Sequence, residues 1–159
     1  MNLPQCAART SGSTKAFTLI ELLVVLAILG IIGGLSVSSY ITESRNAAVR
    51  QAAIQMQSDL EILRSSTIRY NGNSGIVLAT GGIGYTLSIA TGGAPRVVSK
   101  TFGNGVIAAR IDGDDVTYIA PLSTTNNVDG LQYSFTLNGA SAFLKVIGVT
   151  GRAIFSATN

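Results

Sequence analysis

Few side chains in this sequence could do chemistry, and the types that are missing exclude most of it. Its 159 residues include no histidine and one cysteine, Cys6. That removes Ser–His and Cys–His nucleophiles, Cys/His metal sites and any disulfide within one chain. Carboxylates, cations and glycine-rich turns remain. Asp112-Gly113-Asp114-Asp115 offers oxygen ligands of the kind calcium takes, but the spacing is not that of an EF-hand and no Glu closes the loop. A solvated turn is the simpler reading. Gly81-Gly82-Ile83-Gly84 lacks the Lys-Ser/Thr of a phosphate loop and reads as a turn entering a strand. Gly151-Arg152, with Lys145 one strand earlier, makes a poor clamp for a phosphate backbone, because affinity rises with the number of phosphates neutralised.

Glu21 is the most informative group. It stands at the head of a run, Leu22 to Thr42, with 21 positions and no charge. That is the length needed to cross a bilayer core of roughly 30 Å as a helix. A carboxylate in such a segment costs about 2.5–3.5 kcal/mol near the bilayer centre and less at the interface. A buried acid usually has a partner, and none is evident nearby in the sequence. A cut just before Phe17 would create one, a new α-amine four residues from Glu21. Residues 1–16 carry Arg9 and Lys15 and no acid, a balance that keeps this end in the cytoplasm. Two plainer readings compete. One is a secretory signal peptide cut near Ser36-Val37-Ser38; the other is a simple membrane anchor. Neither needs Glu21.

The elements that must position these groups follow from pattern. Charged residues make up 12% of the chain and mean hydropathy is +0.41. The net charge of +3 sits largely in the leading segment, since residues 17–159 hold nine basic and eight acidic side chains. The pI near 9.3 is therefore no nucleic-acid signature by itself. No Pro or Gly interrupts Leu35 to Asn71, and a continuous helix is expected from Phe17 to about Tyr70, roughly 80 Å long. Its first half is apolar all round. In its second half Val49, Ala53, Met56, Leu60, Leu63 and Thr67 form one stripe. Arg45, Arg50, Gln57, Asp59, Glu61 and Arg64 are expected to face outward. Gly30 and Gly34 form a small-xxx-small pair that would allow close helix approach or merely loosen the helix.

From Gly72 the pattern turns to short β-rich runs: 76–79, 85–90, 96–101, 106–111, 116–120, 131–137, 143–149 and 153–156. Phe102-Gly-Asn-Gly-Val106 reads as a hairpin turn, and the stretches at 111–115 and 149–153 as further turns. The expected fold class is α+β, a long N-terminal helix packed on a C-terminal antiparallel sheet. The segments would be 1–16 leader, 17–42 membrane or filament-core helix, 43–71 amphipathic helix and 72–159 β-rich domain.

The stretch KAFTLIELLVVLAILGII resembles the class III signal of type IV pilins and pseudopilins. Phe17, Thr18, Leu19, Ile20 and Glu21 match that signal in type and spacing. The resemblance implies a pilin-like fold and a cut between Ala16 and Phe17 by a membrane-embedded prepilin peptidase, which also methylates the new Phe17 amine. It further implies that Glu21 pairs with the Phe17 amine of a neighbouring subunit during filament assembly. Ala16 stands where that family usually has Gly. Further along, LEILRSSTIRYNG and LKVIGVTGRAIFS resemble the GspH/FimT group of minor pseudopilins, with Arg64, Ser65, Ile68, Gly151 and Arg152 in matching positions. This second resemblance does not extend over the middle, about 75–131.

These resemblances imply a structural subunit of a type IV pilus or a type II secretion pseudopilus, neither an enzyme nor a cofactor binder. Its partners would be the prepilin peptidase, other pilin-like subunits and the inner membrane, with the globular domain outside the cytoplasm. Some FimT-type minor pilins that act in DNA uptake hold DNA with a Gly-Arg-x-Arg segment. Here Gly151 and Arg152 match, but Ile154 replaces the second Arg. DNA contact through Arg152 and Lys145 is the alternative expectation.

Overall fold

The computed structural model describes residues 17–127 and 129–157. The leader, Ala16, Arg9, Lys15 and Cys6 lie outside the described residues. One helix, α1 (Leu19–Tyr70), is followed by nine strands: β1 (Ser74–Leu78), β2 (Gly84–Ile89), β3 (Arg96–Thr101), β4 (Ile107–Asp112), β5 (Thr117–Ile119), β6 (Thr124–Thr125), β7 (Leu131–Leu137), β8 (Ala140–Ile147) and β9 (Arg152–Ala157). The chain divides into two units, one ending at Ser39 and one beginning at Tyr40.

The first unit is the apolar part of α1. It is long and apolar enough to cross a membrane, with a mean hydropathy of 2.5 over its most apolar stretch, none of which is buried in the chain. Leu22, Val25, Ile28, Leu29 and Ile32 are all exposed.

In the second unit the rest of α1 packs on the strands. The expected stripe is the buried one: Val49, Ala53, Met56, Leu60, Leu63 and Thr67 are all in the core. The α+β architecture is as expected, with the strands shared between two antiparallel sheets, ordered β3-β2-β1-β5-β6 and β4-β7-β8-β9. Alternation places the inward residues. On β7, Leu131, Tyr133 and Phe135 are buried while Gln132 and Ser134 are only partly covered, as a half-buried strand requires.

Phe102–Val106 does not close a hairpin. β3 and β4 belong to different sheets, so this turn carries the chain across the seam. Phe102 sits in that seam, its ring centroid 5.2 Å from Tyr85 of the first sheet and 5.5 Å, edge-on, from Phe135 of the second. Beside it Ala108 donates its N–H to the Gly82 carbonyl at 2.8 Å. Gly82 has a φ of +70°, and a Cβ there would collide with the Ala108 carbonyl. The glycine-rich turn is thus a packing device joining the two sheets.

Asp59 departs from expectation. Helical spacing alone puts it outward, yet it is 3% exposed. Lys100 on β3 reaches both its carboxylate oxygens, at 2.7 and 2.8 Å, and the Tyr85 hydroxyl donates to it at 2.6 Å. Gln55 donates to the Tyr85 oxygen at 3.2 Å. Burial first, then the bond to Asp59, pushes the Tyr85 hydroxyl pKa well above its ordinary range, so this group remains a neutral donor. A buried carboxylate with three hydrogen bonds ties α1 to the first sheet.

The two ends of this ion pair are unequal. The Lys100 side chain keeps 35% of its surface in water, against 4% for Asp59. Removing the lysine strands a buried charge, whereas a freed lysine can swing into solvent. Lys100→Ala is therefore expected to cost about 3 kcal/mol and Asp59→Ala about half of that. Urea unfolding of the detergent-solubilised chain, followed by its tyrosine near-ultraviolet signal, checks the order.

Candidate functional site

At the head of α1, Thr18 and Glu21 form a reciprocal cap. The Glu21 Oε2 accepts the Thr18 backbone N–H at 3.0 Å and the Thr18 hydroxyl at 2.9 Å. In return the Glu21 N–H donates to the Thr18 Oγ1 at 3.3 Å. Leu22 N–H donates to the Thr18 carbonyl, opening the helical ladder. This is a capping box, with Thr18 at the N-cap and Glu21 three residues on. It also places a carboxylate at the positive end of the helix dipole.

Glu21 thus has a partner inside its own chain, which corrects the expectation that none was nearby. Thr-x-x-Glu before an apolar run was the sequence signal for it. Both bonds to the carboxylate fall on Oε2. An ionised carboxylate has about four acceptor positions, so the cap is compatible with a second, cationic partner. Phe17 is 86% exposed beside it. The junction with Ala16 lies outside the described residues.

Arg152 and Lys145 are both exposed, on neighbouring strands of the second sheet. Lys145 pairs with Ile154, and Ile147 with Arg152, so the two cations share the outer face as diagonal neighbours. Lys145 also lines an open cleft with Asp112 and Asp129, which offset its charge. Gly151 has a role apart from the cation that follows it. At φ +62° its carbonyl accepts the Tyr118 hydroxyl at 2.8 Å, and a Cβ there would collide with the Tyr118 ring.

The aspartates of the 112–115 turn are dispersed in their bonding. Asp115 pairs with Arg110 at 3.1 Å and accepts the Leu78 N–H. The Asp114 backbone is held by Asn127. Among the described residues no group of three acidic side chains converges as a metal site.

A capped, uncovered apolar helix that continues into an amphipathic segment packed on two sheets defines a pilin-like protein. The prokaryotic N-terminal methylation motif matches residues 12–37. No curated protein matches the chain. Among solved structures, the minor pseudopilin EpsH from the type 2 secretion system of Vibrio cholerae shares the fold at a TM-score of 0.56 and 11% identity, covering 69% of this chain and 97% of that one. The type IV minor pilin FimU of Pseudomonas aeruginosa (strain PAO1) does so at a TM-score of 0.56 and 18% identity, covering 71% of this chain and 90% of that one. By motif and fold together the chain resembles type IV pilins and pseudopilins, carrying the N-terminal methylation motif and sharing a pilin-like fold.

The cap itself is open to test. Thr18→Ala is expected to cost about 1 kcal/mol at the head of α1, which speeds amide exchange of Leu22 and Leu23 roughly fivefold. Thr18→Ser should leave exchange unchanged. The measurement is hydrogen exchange on the full chain in detergent micelles.

Proposed function

We propose that the chain is a minor pilin or pseudopilin of the GspH/FimT group, made as a precursor with residues 1–16 as leader. A prepilin peptidase would cut between Ala16 and Phe17 and methylate the new amine. The apolar part of α1 holds the subunit in the inner membrane, with the β-rich domain outside the cytoplasm, until it is drawn into a filament. In the filament Glu21 pairs with the Phe17 amine of a neighbour. The protein is then a structural subunit and a substrate of processing, without a reaction of its own.

The observation that carries this reading is Glu21 at the head of a fully uncovered apolar helix. A carboxylate there is costly for a plain anchor and useful for a docking helix. Support for the minor-subunit assignment comes from the two fold neighbours, one a minor pseudopilin and one a minor pilin. The Gly151-Arg152 hairpin also matches the group. The filament's identity, type IV pilus or type II secretion pseudopilus, follows from neither. Glu21→Leu tests the mechanism. The mature chain should still begin with N-methylated Phe17 by mass spectrometry, while incorporation into sheared filaments falls at least tenfold, the loss expected of a buried charged pair. A mature chain beginning at Ser39 would overturn the reading.

DNA capture in natural transformation is the second reading, favoured by the shared exposure of Arg152 and Lys145 on one face. Two cations, one of them beside Asp112 and Asp129, neutralise little backbone, so it ranks below the structural role. Arg152→Ala in the full chain is expected to leave DNA affinity unchanged between low and physiological salt. A salt-dependent affinity that drops in the variant would exchange the two readings.

A further inference from the structure

Most cationic side chains among the described residues have a partner or stand free in water. Arg64, Lys100 and Arg110 form ion pairs. Arg50 and Arg69 lie over the rings of Phe155 and Tyr70. Arg96, Lys145 and Arg152 are exposed. Arg45 belongs to neither group. It is half-buried, and among the described residues no ion pair, hydrogen bond or ring takes its guanidinium. A cation that has lost part of its water without gaining a partner is costly, and an anion from outside the chain would offset that cost.

Arg45 lines an open cleft of about 420 Å³ between α1 and two turns of the second unit. Tyr40 and Ser44 accompany it on the helix, and Asn104 and Asn138 line the other side, from the β3–β4 and β7–β8 turns. The Ser44 hydroxyl and the two asparagine amides make no hydrogen bond among the described residues. They are donors of the kind an oxygen-rich anion needs. No carboxylate lines this cleft. Glu43, the nearest in sequence, lines a different cleft together with Arg50.

Position in the chain narrows the choice of anion. The uncharged run ends at Thr42, and Arg45 follows about 4.5 Å further along the helix. The head-group layer on each side of a bilayer core is roughly 5–8 Å deep. With the uncharged run across the core, Arg45 falls in the layer that holds the lipid phosphates. Tyr40 is exposed at the boundary below it, where interfacial tyrosines are enriched.

We propose that this cleft seats the phosphodiester of an anionic phospholipid head group, with Arg45 as the charged contact and Ser44, Asn104 and Asn138 as hydrogen-bond donors. The proposal rests on the membrane-held subunit inferred above. A guanidinium matches phosphate geometry bidentately. The absence of a lining carboxylate leaves no seat for the ammonium of a zwitterionic head. Such a contact fixes the depth and rotation of α1 in the bilayer, and entry into a filament must break it. A second copy held at the same depth fits less well, because its own Glu43 shares a cleft with Arg50.

The test is native mass spectrometry of the full chain released from detergent micelles that carry phosphatidylglycerol or phosphatidylcholine. Phosphatidylglycerol should stay bound, and phosphatidylcholine about fivefold more weakly. Arg45→Ala should lower phosphatidylglycerol binding about tenfold with the circular dichroism unchanged. Arg50→Ala, which removes a neighbouring cation outside the cleft, should leave binding as in the wild type. Equal binding to wild type and Arg45→Ala overturns the proposal, as does an equal loss in Arg50→Ala, the mark of diffuse attraction. Displacement of the lipid by inorganic phosphate would make this a site for the free anion. A lipid-free dimer that dissociates in Arg45→Ala would assign the cleft to a second copy. Either result also overturns the proposal. Flotation with phosphatidylglycerol vesicles tells its failure from that of the membrane reading. Wild type and Arg45→Ala should both float; if neither does, the membrane reading falls and the lipid site with it.

Discussion

Burial of one stripe of α1 is the constraint on which the second unit depends. From Val49 to Thr67 the helix offers its partners a face of steps of three and four residues, and both sheets cover it. Small residues within that face, Ala48, Ala52 and Ala53, let the strands come near the helix axis. Larger ones, Met56, Leu60 and Leu63, fill the space beyond. Each such side chain contributes roughly 1.5–3 kcal/mol when fully buried. The apolar inner face of each sheet needs such a partner to cover it.

Closing two sheets over one helix creates a seam, and the seam has its own chemistry. At one end Phe102 lies between Tyr85 and Phe135, and Ala108 bonds across to Gly82. At the other, Tyr118 donates to Gly151, and the Thr125 hydroxyl donates to the Gly148 carbonyl. Burial pushes the Tyr118 hydroxyl pKa upward, so this donor keeps its proton at any physiological pH. Both ends use a glycine with positive φ where a side chain would clash. The glycine content that reads in sequence as many turns is in part the means by which two sheets share one core.

Much of this was legible in the sequence because it rests on periodicity. The stripe at Val49, Ala53, Met56, Leu60, Leu63 and Thr67 follows from the pitch of a helix, and strands β3 and β7 fall at their expected bounds because alternation is strong there. Which strand joins which sheet depends on contacts far apart in the chain. Phe102–Val106 has the composition of a hairpin turn and serves as a crossing between sheets. β6 is too short to leave a pattern. Asp59 shows the limit most clearly. Nothing local distinguishes it from the outward Glu61, and only Lys100 and Tyr85, both brought in by tertiary pairing, make its burial tolerable. At the candidate site the reverse holds. Thr18 and Glu21 are three residues apart, and their pairing is written in the sequence as Thr-x-x-Glu.

That local pairing bears on how an apolar helix could carry the docking charge proposed for Glu21. An unpartnered carboxylate would raise the free energy of the membrane-held subunit and press it toward assembly, but it would also oppose insertion in the first place. The capping box softens the conflict. It gives one carboxylate oxygen two donors from Thr18 and satisfies orphan N–H groups at the start of α1 that would otherwise face lipid. The other oxygen would remain for the cation that the proposed docking brings. On the proposed function, insertion and docking would then draw on different lone pairs of the same group, and a subunit would not have to break its own cap to join a neighbour.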